Sequence, residues 1–273
     1  GTPWIPQFVI STHSSHISNA VGFKHIRYFL QNNQQKTIIK DLKKDFSDYD
    51  NNKTFIHKYM TLTKSDLFFA DKAILVEGLT ERLMIPKMIE KLDKEEQTNL
   101  GGNYLTLLEI TGAFAHKFIP LLEFLELKTL IITDLDSVTE EVKGTSCEVH
   151  NGKSTSNACI RLWFDDEKDL SVIKNKTDLD KVKNKIRIAY QCPELEDIAC
   201  GRSFEDAFMI ANKEIFCLQT TNGNELEDAA YEEAKKYANK KSDFAIKYAI
   251  DEPDNWKTPK YIKDGLVWLA TRE

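Results

Sequence analysis

From Ala73 onward, short apolar runs alternate with amphipathic stretches, the pattern of parallel strands joined by helices. AILVEG, residues 73–78, reads as a buried strand that closes on a glycine. TERLMIPKMIEKL, residues 80–92, reads as a helix, with Leu83, Met84, Met88, Ile89 and Leu92 near helical spacing on one side. Pro86 predicts a kink or an irregular first turn there. LTLLEIT (105–111) is expected as a second strand, AFAHKFIPLLEFL (113–125) as a second helix, and TLIITDLDS (129–137) as a third strand running into acidic residues. The fold class is therefore α/β, with a βαβαβ core in a mainly parallel sheet flanked by helices.

Outside that core the pattern is looser. FVISTHSSHISNAVG, residues 8–22, is a strand-like apolar run followed by a helix-like stretch. DLKKDFSDYDNNK (41–53) is charged and poor in apolar residues, and reads as a surface loop or linker boundary. VTEEVKGTSCEVHNGKSTSNA (138–158) reads as a loop, and one of that length is functional or disordered. A charged helical stretch is expected over 162–185, a fourth strand at IRIAYQ (186–191), and mainly helix from Phe204, clearest over 225–250. This divides the chain into residues 1–40, a linker at 41–70, and a main domain at 71–273 with additional helical segments.

Composition narrows the class. At 273 residues with 41% hydrophobic content, the chain can build a core for one large domain or two modest ones. No apolar run reaches about 18 residues and no basic, apolar leader opens the chain, which predicts a cytoplasmic protein with no membrane partner. The five cysteines are scattered without a CxxC, so neither a disulfide framework nor a zinc knuckle is expected, and Cys147-x2-His150 is too isolated for zinc. A formal net charge of −6 runs against nucleic-acid binding. The objection is weak, because acidic residues can belong to a metal site while Lys and Arg gather on one face.

The candidate chemistry sits at strand ends, where the carboxyl ends of parallel strands open onto one crevice. Glu77 ends the first strand, and Glu81 follows four residues later in the first helical turn. Asp134 and Asp136 end the third strand with one parity, which puts both side chains on one side if strand geometry persists. An isolated Asp-x-Asp or Glu-x3-Glu is ordinarily a solvated loop or helix face. Four carboxylates in one crevice repel one another unless cations neutralise them, and an all-oxygen set suits Mg²⁺ or Mn²⁺ better than zinc.

ILVEGLTE followed by a strand ending in ITDLDS resembles the Toprim domain shared by topoisomerases, bacterial primases, recombination mediators and the OLD (overcoming lysogenization defect) nucleases. LEITGAF (108–114), GKSTSNA (152–158), GRSFEDAF (201–208), KSDFAIKYA (241–249) and WKTPKYIKDGLVWLA (256–270) resemble the OLD family in particular, in its class 2 or Gabija-like group. FVISTHS is similar to the switch-histidine segment that closes an ABC-type ATPase domain, in which His13 would meet the ATP γ-phosphate. No GxxxxGK[ST] loop is present, so these residues do not bind ATP by that mechanism. The resemblance then implies a C-terminal fragment, with residues 1–40 the remnant of an ATPase domain and ATP confined to the portion that precedes it. Gly1-Thr2 need not be native sequence. The other histidines show no consistent metal spacing and are assigned no role.

The resemblance implies a DNA endonuclease, with Glu77, Glu81, Asp134 and Asp136 as metal ligands, Glu205 completing a second metal site beside Ser203 or Asp206, and Lys241 required for cleavage. For Glu205 a capping role at a helix start is an equal alternative, and for Lys241 a solvated face shared with Lys240 and Lys247. Two-metal hydrolysis follows, one ion activating water and the other stabilising the leaving 3′ oxygen. Thr80 and Gly112 flank the crevice and are candidates to position ligands or phosphate, with a steric role for Gly112 as the alternative. Implied partners are DNA, a UvrD-like helicase and a second copy of the full-length chain. Another Toprim enzyme (topoisomerase, primase or RNA-maturing nuclease) and a non-catalytic DNA-binding Toprim module are the competing readings. A topoisomerase would need a catalytic-tyrosine domain for which no motif is present.

Overall fold

The computed structural model describes residues 5–31, 34–44, 65–110, 114–140, 144–194, 199–219, 222–252 and 254–271. The chain forms two compact units, Gly1–Ala70 and Asp71–Glu273.

In the first unit, helix α1 (Ser15–Ala20) starts at Ser14, whose hydroxyl accepts the Ile17 N–H at 3.4 Å. Strands β1 (Arg27–Gln31) and β2 (Thr37–Asp41) pair antiparallel, with Arg27 opposite Asp41 and joined to it by an ion pair of 3.0 Å. Ser65–Phe68 forms a 3₁₀ turn, with Leu67 and Phe68 buried. Phe8, Val9 and Ile10 lie in no strand and are 79%, 93% and 66% exposed. Their apolar run supplies strand propensity, but a strand forms only against a partner. Residues 45–64, most of the stretch read as a linker, lie outside the described residues, as does Gly112.

The second unit is built on a five-stranded sheet in the order β4-β3-β5-β9-β8. These are β3 (Lys72–Val76), β4 (Leu105–Glu109), β5 (Lys128–Ile132), β8 (Val182–Lys183) and β9 (Ile186–Ala189). The pairs β3–β4, β3–β5 and β5–β9 are parallel, and only β8–β9 is antiparallel. The expected mainly parallel sheet is present. Its central strands are apolar on both faces because helices cover them.

Helix α2 (Leu79–Glu95) buries Met84, Ile85, Met88, Ile89 and Leu92, and continues past Pro86. The expected helix over 113–125 is instead a 3₁₀ turn, Phe114–Phe118, followed by α3 (Ile119–Leu125). Pro120 lies in the first turn of α3, where its missing N–H costs nothing; in an earlier-starting α-helix it would have cost a bond. The third strand ends at Ile132 rather than running to 137. After it, β6 (Ser137–Val138) and β7 (Ser154–Thr155) pair antiparallel, so the stretch read as a loop over 138–158 is a hairpin excursion.

The charged stretch over 162–185 is not one helix. It divides into the end of α4 (Ala158–Trp163), then α5 (Leu170–Lys174), with Asp165 and Asp166 at φ 57° and 66° between them. Two successive left-handed residues end a helix, and the Asp169 side chain starts the next by accepting the Ser171 N–H at 2.7 Å. The helix read over 225–250 likewise breaks into α7 (Gly223–Lys235) and α8 (Lys241–Ile246), the latter continued by a π-helical turn, Lys247–Asp251. The break brings the Tyr237 and Phe244 rings edge-on at 5.1 Å. On an unbroken helix those positions stand about 10 Å apart along the axis.

Two features hold the helices to the sheet. The C-terminal helix α9 (Lys260–Ala270) crosses β5 and β9 at Gly265, where a Cβ would come within 2.8 Å of the Leu130 side chain. Lys72 and Lys128, which begin β3 and β5, donate to the Leu269 and Thr271 carbonyls at 2.7 Å each, so cations meet the negative end of α9. Phe208 of α6 (Phe204–Ala211) lies among the rings of Phe204, Phe244, Tyr248 and Trp256, at 6.0, 5.5, 5.2 and 5.4 Å.

Truncating that ring removes the centre of an aromatic cluster. Phe208→Ala is expected to cost about 3–5 kcal/mol, with Phe208→Leu costing less. The measurement is the midpoint of urea unfolding at unchanged m-value; an unmoved midpoint would put the cluster outside the cooperative core.

Candidate functional site

Parallel pairing aligns Leu75 with Ile131, so β3 and β5 end side by side and deliver Glu77 and Thr133–Asp134 to one edge. The Glu77 carboxylate accepts from the Thr133 hydroxyl, from Asn157 Nδ2 at 2.9 Å and from the Asp134 N–H at 3.3 Å. Asp134 accepts from Gln191 Nε2 at 2.7 Å, and Gln191 Oε1 accepts the Leu135 N–H at 2.6 Å. Both carboxylates are thus held chiefly by neutral donors.

Glu81 stands in the first turn of α2, buried and turned back over Gly78. Its Oε2 lies 3.3 Å from the point a Gly78 Cβ would occupy. Glycine therefore leaves the space into which this carboxylate folds, at the helix end that favours negative charge.

Asp136 departs from the expected geometry. Its φ of 49° is left-handed and it follows the end of the strand, so period-two alternation does not relate it to Asp134. Asx residues tolerate this conformation. The Asp136 carboxylate accepts from Arg202 Nη2 at 2.9 Å, and its N–H donates to the Arg202 carbonyl at 3.0 Å.

The capping and acidic readings of GRSFEDAF separate onto different residues. Asp206 does the capping: its carboxylate accepts the Ser203 N–H at 2.7 Å, the Ser203 hydroxyl at 2.9 Å and the Arg202 N–H at 3.0 Å. Burial nonetheless raises its carboxyl to about 6 against these donors. Glu205, buried, faces elsewhere and meets Lys241 Nζ at 3.1 Å and the Thr80 hydroxyl at 3.3 Å. Lys241 is the first residue of α8, and the break after α7 separates it from α7. A Cβ on Gly201 would fall 2.5 Å from the Ala207 backbone nitrogen, so this turn into α6 requires glycine.

Asp134 is the electrostatic centre of the group. Burial raises its carboxyl well above the usual range, and Glu77, Glu81, Asp136 and Glu205 each push it further. Glu77 is raised by burial and by Asp136, against its hydrogen-bond donors. Burial lifts Glu81 to about 7, with Glu205 and Glu77 adding to the effect. Burial lowers the Lys241 ammonium, but Glu205, Asp134 and Glu81 outweigh it and the net shift is upward. The other four predicted carboxylates and Lys241 therefore each lie within reach of the Asp134 charge. Among the described residues, however, no three Asp, Glu, His or Cys side chains converge closely enough to hold an ion as they stand. The all-oxygen donor set and the excess of buried negative charge fit a hard divalent cation, while the carboxylates are turned toward protein donors.

Sequence reasoning missed the residues that hold the acids. Asn157 is buried, caps α4 by accepting the Cys159 N–H at 2.9 Å, and donates to Glu77, Thr133 and the Asp134 carbonyl at 2.9 Å each. An Asn before an apolar helical run signals its cap but not its second duty. Gln191 and Arg202 gave no local signal, because their partners are 57 and 66 residues away. His13 lies 6.0 Å from the Phe69 ring, and His150 Nδ1 is 2.9 Å from Glu227.

Because Glu81 has a folded-state value raised above its unfolded one, its contribution to stability is complete below about pH 4.5 and is lost as pH rises through about 7. Denaturant unfolding in EDTA should therefore show Glu81→Gln gaining on the parent chain between pH 5 and 8, by on the order of 2–3 kcal/mol. Parallel stability curves would mean this carboxyl titrates normally.

Comparison with known proteins bears on the same region. The family described as overcoming lysogenization defect protein-like, TOPRIM domain, matches residues 68–136. Endonuclease GajA of Bacillus cereus (strain HuB5-5) is 30% identical over 304 aligned residues, covering 97% of this chain and 43% of the relative. Endonuclease GajA of Bacillus cereus (strain VD045) is 25% identical over 133 residues, covering 49% of this chain and 22% of the relative. The chain thus spans less than half the length of either relative. The solved C-terminal region of the Burkholderia pseudomallei OLD protein aligns with 74% of this chain and 98% of its own, at 18% identity and a TM-score of 0.44. With its acidic strand ends inside the matched segment and a relative aligned along nearly its whole length, the chain carries an OLD-like Toprim domain over residues 68–136.

Proposed function

We propose that this chain is the cleaving part of a metal-dependent DNA endonuclease. The observation that carries the reading is the gathering of Glu77, Glu81, Asp136 and Glu205 around Asp134, with Lys241 beside them, at the carboxyl edge of the sheet. The endonucleases aligned with this chain support it.

Glu77, Glu81, Asp134, Asp136 and Glu205 would hold Mg²⁺ or Mn²⁺, two ions being the reading that uses all five. The bound ions would supply an activated water and neutralise the leaving 3′ oxygen. Thr133 and Asn157 orient Glu77, Gln191 orients Asp134, and Arg202 orients Asp136. Thr80 steadies Glu205. Lys241, half-exposed at the head of α8 and paired with Glu205, would meet a phosphate oxygen as its charge grows, which would favour the transition state over the ground state. An ATPase portion, a UvrD-like helicase and a second copy of the full-length protein are partners of the same proposal.

The test is supercoiled plasmid incubated with the chain in Mg²⁺, Mn²⁺ or EDTA. Metal-dependent nicking is expected, falling at least about 100-fold in Glu77→Ala and Lys241→Ala, the scale of losing one electrostatic group from a transition state. Undiminished nicking by Glu77→Ala would overturn the site. Relaxation to closed topoisomers would instead mark a topoisomerase, and DNA binding without cleavage a non-catalytic module.

A further inference from the structure

Beside the acidic edge, on the far side of Gln191 and Tyr261, lies a cavity of about 230 Å³ whose charge has the opposite sign. Lys176, Lys181, Arg187 and Lys260 line it, against two carboxylates, Asp178 and Asp264. The two carboxylates are already engaged, Asp178 with Arg187 at 2.6 Å and Asp264 with Lys260 at 2.6 Å. Lys176 and Lys181 form no ion pair among the described residues; their ammonium groups lie over the Phe164 and Tyr190 rings at 5.1 and 5.0 Å. Asp180 lies near both, but its carboxylate accepts from the Thr177 N–H at 2.8 Å and the Thr177 hydroxyl at 2.7 Å and does not line the cavity.

Arg187 is the less ordinary member. It is 6% exposed, and its Nε has no hydrogen-bond partner among the described residues. A buried guanidinium with an unspent donor costs stability unless an acceptor reaches it or its charge has another use. Four cations facing two carboxylates leave an excess of two positive charges, in a space smaller than the roughly 300–1,000 Å³ of sites that enclose a drug-sized ligand. That combination selects a small multivalent anion or the end of a larger one.

We propose that this cavity binds a phosphate group. One wall connects it to the acidic edge, since Tyr261 lines the cavity and its hydroxyl accepts from Gln191 Nε2 at 3.3 Å, while the same Nε2 holds Asp134 at 2.7 Å. A phosphate seated there stands one hydrogen-bonded pair away from Asp134. The proposal does not depend on the cleavage reading, because binding is measured without turnover.

The experiment titrates the full chain with inorganic phosphate in EDTA, at constant ionic strength, by calorimetry and by melting temperature. Saturable binding is expected, weakened at least about tenfold in the double variant Lys181→Gln/Lys260→Gln, as loss of two charge-assisted contacts requires, and retained in Glu77→Gln. The melting temperature of the double variant without phosphate checks that it folds, and Lys176→Gln provides a second, independent substitution. A 5′-phosphorylated dinucleotide and its 5′-hydroxyl counterpart distinguish the sources: preference for the phosphorylated form assigns the cavity to a strand end, and preference for inorganic phosphate over both assigns it to the free ion. Absence of saturable binding by any of the three, or equal binding by the double variant, overturns the proposal.

Discussion

The in-register parallel pairing of β3 with β5 is the constraint on which the site depends. Residues 57 positions apart, Glu77 and Asp134, become neighbours because two apolar strands start together, at Lys72 and Lys128, and end together. The same pairing places those two lysines at one edge, where they hold the C-terminus of α9. With its far end fixed, α9 brings Tyr261 to the acidic edge, against Gln191. The sheet therefore sets both the acids and the wall behind them. A shift of one residue between β3 and β5 would separate Glu77 from Thr133.

The charges at that edge are controlled more by dipoles than by counter-ions. Thr133, Asn157 and Gln191 serve Glu77 and Asp134, whereas Arg202 and Lys241 are the cations paired with Asp136 and Glu205. Neutral donors hold a carboxylate in place without cancelling its charge. Burial and the crowding of acids therefore show as raised carboxyls at Asp134, Glu77 and Glu81, where a structural ion-pair network would lower them.

How much of this could be read in the sequence depended on the range of the interaction. Strand ends and their acids were legible, since apolar runs followed by Glu or Asp need only local pattern. The left-handed Asp136 was not, because alternation presumes that the strand continues and β5 stops at Ile132. The helix over 225–250 was mistaken for one element because its composition is uniformly helical, while the break follows from packing, with Tyr237 and Phe244 entering the same aromatic cluster. That break gives Lys241 a helix of its own. Glu205 and Asp206 are adjacent and chemically alike; the three-residue spacing from Ser203 marks Asp206 as the capping partner, whereas Glu205 meets Lys241, a tertiary contact that no local pattern shows.

The hairpin excursion between β5 and α4 has both its ends fastened at the acidic edge. It departs through Asp136, whose carbonyl accepts the Ser156 N–H at 3.1 Å, and returns through Thr155, whose hydroxyl donates to the Leu135 carbonyl at 2.7 Å, before Asn157 locks the exit. Beyond that base the excursion is tied again, the His150 N–H to Glu227 at 2.7 Å and the Tyr231 hydroxyl to the Ser146 carbonyl at 3.1 Å, so α7 and the acids share one connected support.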